Sequence, residues 1–397
     1  MKRLLLIGAG HAHAQVLRSF VKALIPGVEL VIVTPSELAP YSGMVPGWLS
    51  GAYKFEDICV DLAPLARAAG ARLILDELSG LDPGRRVVRL SSGTEIAYDV
   101  LSINVGSTLS PPVVPDKLVL SLRPLGKLRQ AWESVLSQIE QTPEDATTAG
   151  PFTVTAAGGG AAGFEALLGC LARLRALQPG RTFRGRLITR SPTILPGLPP
   201  RAIRIAERVL RSAGVEIVTD TDADESSIRS SDLVLWATGA QAHKWQRDSG
   251  LLLSERGFIR VDEKLRSVSH PDVYAVGDCA EWEQPLPKAG VYSVRMGPAL
   301  THNLRVAVGM PGTQRAYEPQ RRFLALLATG DYRAIAARGR WSAGGRILGH
   351  PFWIWKDHID RKFLRHFVIH PPALRQSLDA GPEQAGVHSH GNGRRLP

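Results

Sequence analysis

The sequence predicts an α/β protein of two parallel-sheet domains, the second inserted in the first, with a C-terminal appendage. Three observations predict it: a strand, glycine-loop and helix pattern opening at Lys2, a second such pattern opening at Phe152, and an apolar strand that delivers Gly277-Asp278 much later. A strand feeding a glycine loop and then a helix is the local signature of a Rossmann-like dinucleotide-binding unit. Two such units, with a further strand beyond both, imply that the first domain is assembled from both ends of the chain. The expected boundaries are residues 1–120 and 266–320 for the first domain and 150–265 for the inserted one. Residues 321–370 are expected to form C-terminal strands and a basic aromatic helix, and residues 371–397 a disordered tail rich in Gly, His, Pro and Arg.

Composition limits what such a protein can be. Its 397 residues are 44% hydrophobic and 21% charged, a globular balance with room for two domains. No apolar run reaches the length of a membrane span, and MKRLLLIGAG lacks the apolar core and cleavage site of a signal peptide, so a cytoplasmic protein is expected. The three cysteines, Cys59, Cys170 and Cys279, form no closely spaced pair, which argues against a disulfide framework or a metal cluster. A formal charge of +11 would suit anionic cofactors, an anionic membrane surface or nucleic acid. No helix-turn-helix, zinc-finger or aromatic RNA-binding motif accompanies it, so no nucleic-acid partner is expected.

In the first unit, the strand from Lys2 to Ile7 runs into IGAGHAH, and a helical pattern follows through Leu17, Phe20 and Leu24. Gly8 and Gly10 permit the tight turn and the close approach of backbone to a pyrophosphate. The helix entered at His11 and Ala12 offers that group unpaired N–H donors and a partial positive charge. His13 stands where a third glycine would pack helix on strand, so strained packing is expected there. A metal reading of His11 and His13 is disfavoured, because residues two apart on a helix point to different sides and no third ligand has suitable spacing. The strand Val28 to Val33 ends in Thr34 and Ser36, hydroxyls where a ribose-binding acid is ordinarily found, with Glu37 too far along.

A linker rich in Thr, Pro and Gly, from Gln141 to Pro151, leads to the second unit, whose fingerprint Gly158-x-Gly160-x-x-Gly163 is complete. Its next strand, Gly185 to Thr189, runs into Arg190 and Ser191, and an arginine there could pair with a 2′-phosphate, favouring NADPH over NADH. VYAVGDC then places the Asp278 carboxylate at a strand end, where it can accept a hydrogen bond from a polyol.

The order Gly8-x-Gly10, SINVGST (102–108), Gly158-x-Gly160-x-x-Gly163-x-Glu165, LWATGA (235–240) and VYAVGD (273–278) resembles the pyridine-nucleotide-disulfide reductase superfamily over residues 1 to 310. SINVGST departs from the usual Ala-Thr-Gly. GAGHAHAQVL, APYSGMVPGWLSGAY (39–53), KAGVYSVRMGPALTHNLR (288–305) and WKDHIDRKFLRHF (355–367) extend the likeness to about residue 370. They resemble the flavoprotein group fused to, or encoded beside, selenophosphate synthase, itself similar to type II NADH dehydrogenases and other NAD(P)H–quinone oxidoreductases.

The resemblance implies two cofactors, FAD and either NADPH or NADH. For FAD it implies Gly8, Gly10, His11 and Ala12 at the pyrophosphate, Thr34 and Gly106 along the cofactor, and Gly277 and Asp278 at the ribityl chain. Ser42, with Tyr41 and Met44, would lie on the isoalloxazine side. Gly290 and Val291 would meet the pyrimidine edge, with a helix from Pro298 aiming its positive end there. For the nicotinamide cofactor it implies Gly158, Gly160, Gly163, Glu165, Arg190 and Gly239.

Disulfide-reducing members of that superfamily carry a cysteine pair that this sequence lacks, so thiol relay is not expected. What remains is hydride transfer from nicotinamide to flavin and electron transfer to a quinone-like acceptor. The competing reading is a flavin-bearing accessory protein that docks selenophosphate synthase. In 352–367, Trp355, Ile359, Phe363 and Phe367 recur in steps of four beside Lys356, Arg361, Lys362, Arg365 and His366. Such a helix either lies on the inner face of a membrane or packs internally.

Overall fold

The first apolar run forms the strand Lys2–Ile7, the centre of a five-stranded parallel sheet. Its order in space is Val273–Ala275, Val100–Ile103, Lys2–Ile7, Val28–Thr34 and Ala71–Leu75. The late strand Val273–Ala275 pairs with Val100–Ile103, so both ends of the chain build this sheet, as expected. A second five-stranded parallel sheet runs Leu118–Ser121, Leu233–Trp236, Phe152–Ala157, Phe183–Ile188 and Val215–Val218. This is the two-domain Rossmann-like architecture. The computed structural model describes residues 1–114, 117–141, 150–320 and 322–369, so the tail 371–397 and most of the linker after Gln141 lie outside the described residues.

The sheets divide the chain differently from the expected boundaries. Leu118–Ser121, counted with the first domain, pairs with Leu233–Trp236 in the second sheet. Leu251, Ile259 and Val261, counted with the second, pack on Leu5, Val31 and Leu101 of the first. Short apolar runs announce a strand but not its partner, which tertiary packing decides.

Beyond both sheets, the antiparallel strands Ala325–Ala328, Ala334–Arg338 and Trp341–Ala343 lead into the long helix Gly345–Arg365. This helix starts before the expected residue 352 and carries Pro351 inside it.

The helix Gly290–Ala307 begins at Gly290 rather than at Pro298, which lies in its interior. A proline has no N–H, so the carbonyl four residues earlier, that of Val294, loses its helical donor. Gln15 replaces it: the side chain, on the helix His11–Lys22, donates from Nε2 to the Val294 oxygen at 2.8 Å. The two helices approach so closely that a Cβ at Gly297 would overlap the Gln15 amide. This contact fixes the start of the Gly290 helix relative to the first glycine loop. Gln15→Met should cost about 1–3 kcal/mol in urea unfolding, the penalty for a buried carbonyl without a donor. Adding Pro298→Ala restores a backbone donor, so the double variant should recover part of that loss. Purely additive losses would show that Gln15 is not the substitute donor.

Candidate functional site

Parallel sheets place their functional loops at the carboxyl ends of the strands. Here the carboxyl edges of both sheets open on one cavity of about 1130 Å³. That exceeds the roughly 300–1,000 Å³ typical of small-molecule pockets and suits extended ligands. Three helices begin at its wall: His11–Lys22, Ala161–Leu177 and Gly290–Ala307. None is capped by the side chain of its own N-cap residue, although Ser, Thr, Asp and Asn ordinarily fill that position. Three positive helix ends around one cavity make an anion-binding environment.

Glycine is required at the first loop because backbone meets backbone. Gly8 has φ +86°, and a Cβ there would lie 2.6 Å from the Asn104 carbonyl oxygen. Asn104, the residue at which SINVGST departs from Ala-Thr-Gly, ties the loop together. It is 3% exposed; its Oδ1 accepts from the Ala12 N–H at 3.2 Å and its Nδ2 donates to the Val276 carbonyl at 3.0 Å. Ala12 is therefore already satisfied by Asn104, which corrects the expectation that its N–H is free for a phosphate. At the second loop, Gly158 adopts φ +125° against the Ala237 carbonyl, and Gly163 packs directly on Gly158.

His13 is not strained. Fully buried, it has Nδ1 2.6 Å from the Gly8 carbonyl and Nε2 2.8 Å from Ser102 Oγ. A carbonyl only accepts, so Nδ1 carries the proton. Burial, against the Gly8 hydrogen bond, lowers its pKa to about 4, so the ring is neutral and Nε2 accepts from the Ser102 hydroxyl. The imidazole thus bridges loop and strand where a glycine would have let them touch. His11 points the other way, to Ser42 Oγ at 3.1 Å and to the edge of Tyr41, with ring centroids 5.0 Å apart. Burial lowers it to about 4 as well, opposed by the Asp278 carboxylate.

Of the other expected residues, Gly10, Thr34, Ser42, Gly106, Gly160, Glu165, Asp278, Gly290 and Val291 line the cavity. Gly277 sits behind Asp278, its φ of +72° and its contacts with Asn104 and Ser293 leaving no space for a side chain. Gly239 is exposed and outside the cavity wall. Arg190 is also outside; its guanidinium is 77% exposed and lies 3.4 Å from the Asp222 carboxylate.

Sequence reading missed Arg123. Its guanidinium donates to Ser107 Oγ and to the Asp278 carboxylate, and to the Lys288 carbonyl at 3.3 Å. Nothing in LRPLG marks that arginine, because its partners lie far away in the sequence. Also missed is a polar cluster on the C-terminal helix. Lys356, one of the basic residues flanking the aromatic stripe, is buried, 2.6 Å from Asp360, and also donates to the Gly43 carbonyl. The Tyr41 hydroxyl faces the Asp360 carboxylate. Burial raises the pKa of Asp360 and Tyr41, with Lys356 opposing the rise at Asp360. Glu165 faces the same cluster: its carboxylate accepts from the Ala328 N–H at 2.7 Å, and burial, opposed by Lys356, raises its pKa to about 7.

The aromatic stripe divides between two environments. Each step of four residues turns about 40° past a full helical circle, so three steps rotate about 120°. Trp355 consequently faces outward, 44% exposed, and Ile359, 39% exposed, reaches the cavity wall, whereas Phe363 lies 4.9 Å from Tyr41 and Phe367 is buried.

A family profile described as pyridine nucleotide-disulphide oxidoreductase matches residues 2–303. The chain is 23% identical over 228 residues to ferroptosis suppressor protein 1 of Taeniopygia guttata, a match covering 52% of this chain and 56% of that protein. It is 26% identical over 301 residues to an alternative NAD(P)H-ubiquinone oxidoreductase C1 of Arabidopsis thaliana, covering 66% and 57%. These matches span little more than half the length of either relative. The structure of NDH2 from Plasmodium falciparum in complex with NADH superposes with a TM-score of 0.73 at 13% identity, covering 92% of this chain and 97% of that one.

The histidine pair sets a pH dependence. An unfolded chain holds His13 near its ordinary 6.5 and the folded one near 4, so between these values the unfolded state binds more protons and stability falls as pH is lowered. The full effect for His13 is roughly 3 kcal/mol. His13→Asn should flatten the slope of unfolding free energy against pH between about 4 and 6.5 by up to one proton. Parallel curves for the two proteins would refute the assignment of a neutral buried ring.

Proposed function

The chain belongs to the pyridine nucleotide-disulphide oxidoreductase family, and on that premise we propose that it is an FAD-dependent NAD(P)H dehydrogenase. Its electrons pass to a quinone-like acceptor without a redox-active disulfide. The observation that carries this reading is the single cavity shared by the glycine-loop helices of both sheets, with none of the three cysteines in its wall. FAD, when bound, accepts a hydride from the nicotinamide and releases electrons to the acceptor. The residues present fit it. The positive end of the helix after Gly10 suits its pyrophosphate, the Asp278 carboxylate its polyol, and the helix beginning at Gly290 the negative charge of its reduced ring. The second helix, starting at Ala161, suits the pyrophosphate of the nicotinamide cofactor. Arg190, exposed and paired with Asp222, gives no held contact that separates NADPH from NADH, and the proposal covers both.

Reduction of a quinone takes up two protons with two electrons. Glu165, at about 7, is partly protonated near neutral pH and faces Lys356, Asp360 and Tyr41 across the cavity wall, which suits proton delivery to an acceptor. The outer face of the C-terminal helix presents Ile347, Leu348, Ile354 and Trp355, with Arg346, Lys362 and Arg365 also exposed. An apolar stripe with basic neighbours supports peripheral contact with an anionic membrane, where a lipid-soluble quinone resides. No described helix is long and apolar enough to cross a membrane.

The first test is anaerobic absorbance. A yellow protein bleached by NADH or NADPH supports the proposal; a yellow protein bleached by neither returns the argument to an accessory role beside selenophosphate synthase. Glu165→Gln should leave bleaching intact while lowering kcat with a soluble quinone about a hundredfold, within the usual range for a lost general acid. In the wild type that kcat should fall as pH rises through about 7, because the protonated carboxyl is the donor. Loss of bleaching instead would assign Glu165 to the nicotinamide. For the membrane contact, Ile354→Glu with Trp355→Glu should abolish cosedimentation with vesicles of anionic phospholipid. Retained binding would exclude the outer helix face as the contact.

A further inference from the structure

Past the Gly8–Gly10 loop, the cavity continues over the carboxyl ends of the strands Val28–Thr34 and Ala71–Leu75. Thr34, Ser36, Glu77 and Leu78 line it there. The adjoining wall comes from a segment that sequence reading did not single out. As the chain leaves the second sheet, it returns to the first by pairing Gln241 with Thr108, whose N–H donates to the Gln241 carbonyl at 2.9 Å. The short helix Lys244–Arg247 follows, held by Gln246, whose Nε2 donates to the Cys279 carbonyl at 3.1 Å. This anchoring carries His243 and Trp245 into the cavity wall as a near-parallel ring pair, centroids 6.4 Å apart and planes 25° from each other. Trp245 packs on the same apolar cluster as Leu78, Ile74 and Val105.

We propose that His243 and Trp245 form the platform for the adenine ring of the flavin dinucleotide. The inference rests on the FAD reading above and assigns the end of the cofactor that reading leaves unplaced. FAD has two flat ring systems joined through a pyrophosphate. With the pyrophosphate at the Gly10 helix end and the polyol at Asp278 beside Gly290, the flavin ring takes the Gly290 side. The adenosine then lies over Val28–Thr34 and Ala71–Leu75. What the wall offers there matches adenosine: the Thr34 and Ser36 hydroxyls with the Glu77 carboxylate for ribose, and the rings of Trp245 and His243 with the Leu78 and Val105 side chains for a flat base. The His243 main chain is fixed at both ends of its peptide: its N–H donates to Gln246 Oε1 at 2.8 Å, and its carbonyl accepts from the Gln246 N–H at 3.1 Å. Its ring is held beside the Val105 and Gly106 backbone.

FMN, which carries the same flavin but no adenosine, separates this role from a structural one. The deflavinated full chain and its Trp245→Ala and Trp245→Phe variants are titrated with FAD and with FMN by flavin fluorescence, and each is melted in parallel. A base stacked on an aromatic ring is worth about 1–3 kcal/mol, so Trp245→Ala should weaken FAD by about 5- to 150-fold. FMN binding should not change, and Trp245→Phe should keep most of the FAD affinity. Unchanged FAD binding in Trp245→Ala, or equal loss of FAD and FMN with a lowered melting temperature, overturns the platform while leaving the cofactor assignment standing. A wild-type chain that binds FMN as tightly as FAD also overturns it, and one that takes up neither overturns both.

Discussion

The structure depends on the approach of a glycine loop to a neighbouring strand end with no side chain between them. At Gly8 the neighbour is the Asn104 carbonyl; at Gly158 it is the Ala237 carbonyl. Each contact lets a helix begin at the carboxyl edge of its sheet with its first turn open to the cavity. An added Cβ would push the loops apart at either place, and the helix end would no longer face the ligand. The third open helix, beginning at Gly290, has a different origin. Its position follows from Gln15 on the first helix, which supplies the donor that Pro298 withholds. A residue just beyond the first glycine loop therefore also places the second wall of the same site.

Two of the cations in the cavity wall are matched by carboxylates, while Lys127 and Arg295 also line it. Arg123 is paired with Asp278, and Lys356 with Asp360. A buried ion pair adds little net stability, but losing one partner strands the other charge at a cost of several kcal/mol. Lys356 also holds the Gly43 carbonyl, so the pair fastens the C-terminal helix over Tyr41 and Ser42. The helix thereby has two faces with different tasks. Its inner face closes the cavity around Glu165, and its outer face carries exposed apolar side chains. An acceptor entering from that outer side would meet the buried acids within one helix diameter, about 10 Å.

Much of this was legible in the sequence, for identifiable reasons. Glycine loops between strand and helix, and Asp278 at a strand end, are local patterns whose meaning survives without knowledge of partners. They yielded the two parallel-sheet units and the glycine-loop part of the cavity wall. Partnership across the chain was not legible. Leu118–Ser121 reads as a strand in either sheet, Arg123 gains its meaning only beside Asp278, and Lys356 reads as surface until its helix is rotated against Gly43. The stripe in steps of four was misread because a constant step looks like a constant face, whereas the helix turns steadily beneath it. Asn104 was visible as a departure from an expected motif, and that departure marks the side chain that ties the loop.

His13 shows how a position can lose its usual residue and keep its task. Where Gly163 lets the second helix touch its loop directly, His13 inserts a ring between them and recovers the contact as two hydrogen bonds, to Gly8 and to Ser102. The substitution is stable only while the ring is neutral, since a protonated Nε2 would turn its proton toward Ser102, whose hydroxyl would then have to reverse. Burial enforces neutrality by disfavouring the charged form. The first loop is therefore held by a group with a defined tautomer, and the second by glycine packing together with backbone hydrogen bonds from the Gly158 N–H to the Ile188 carbonyl and from the Leu195 N–H to the Gly159 carbonyl. Two loops of the same sequence pattern thus meet the same requirement, a fixed helix start at a sheet edge, by different physics.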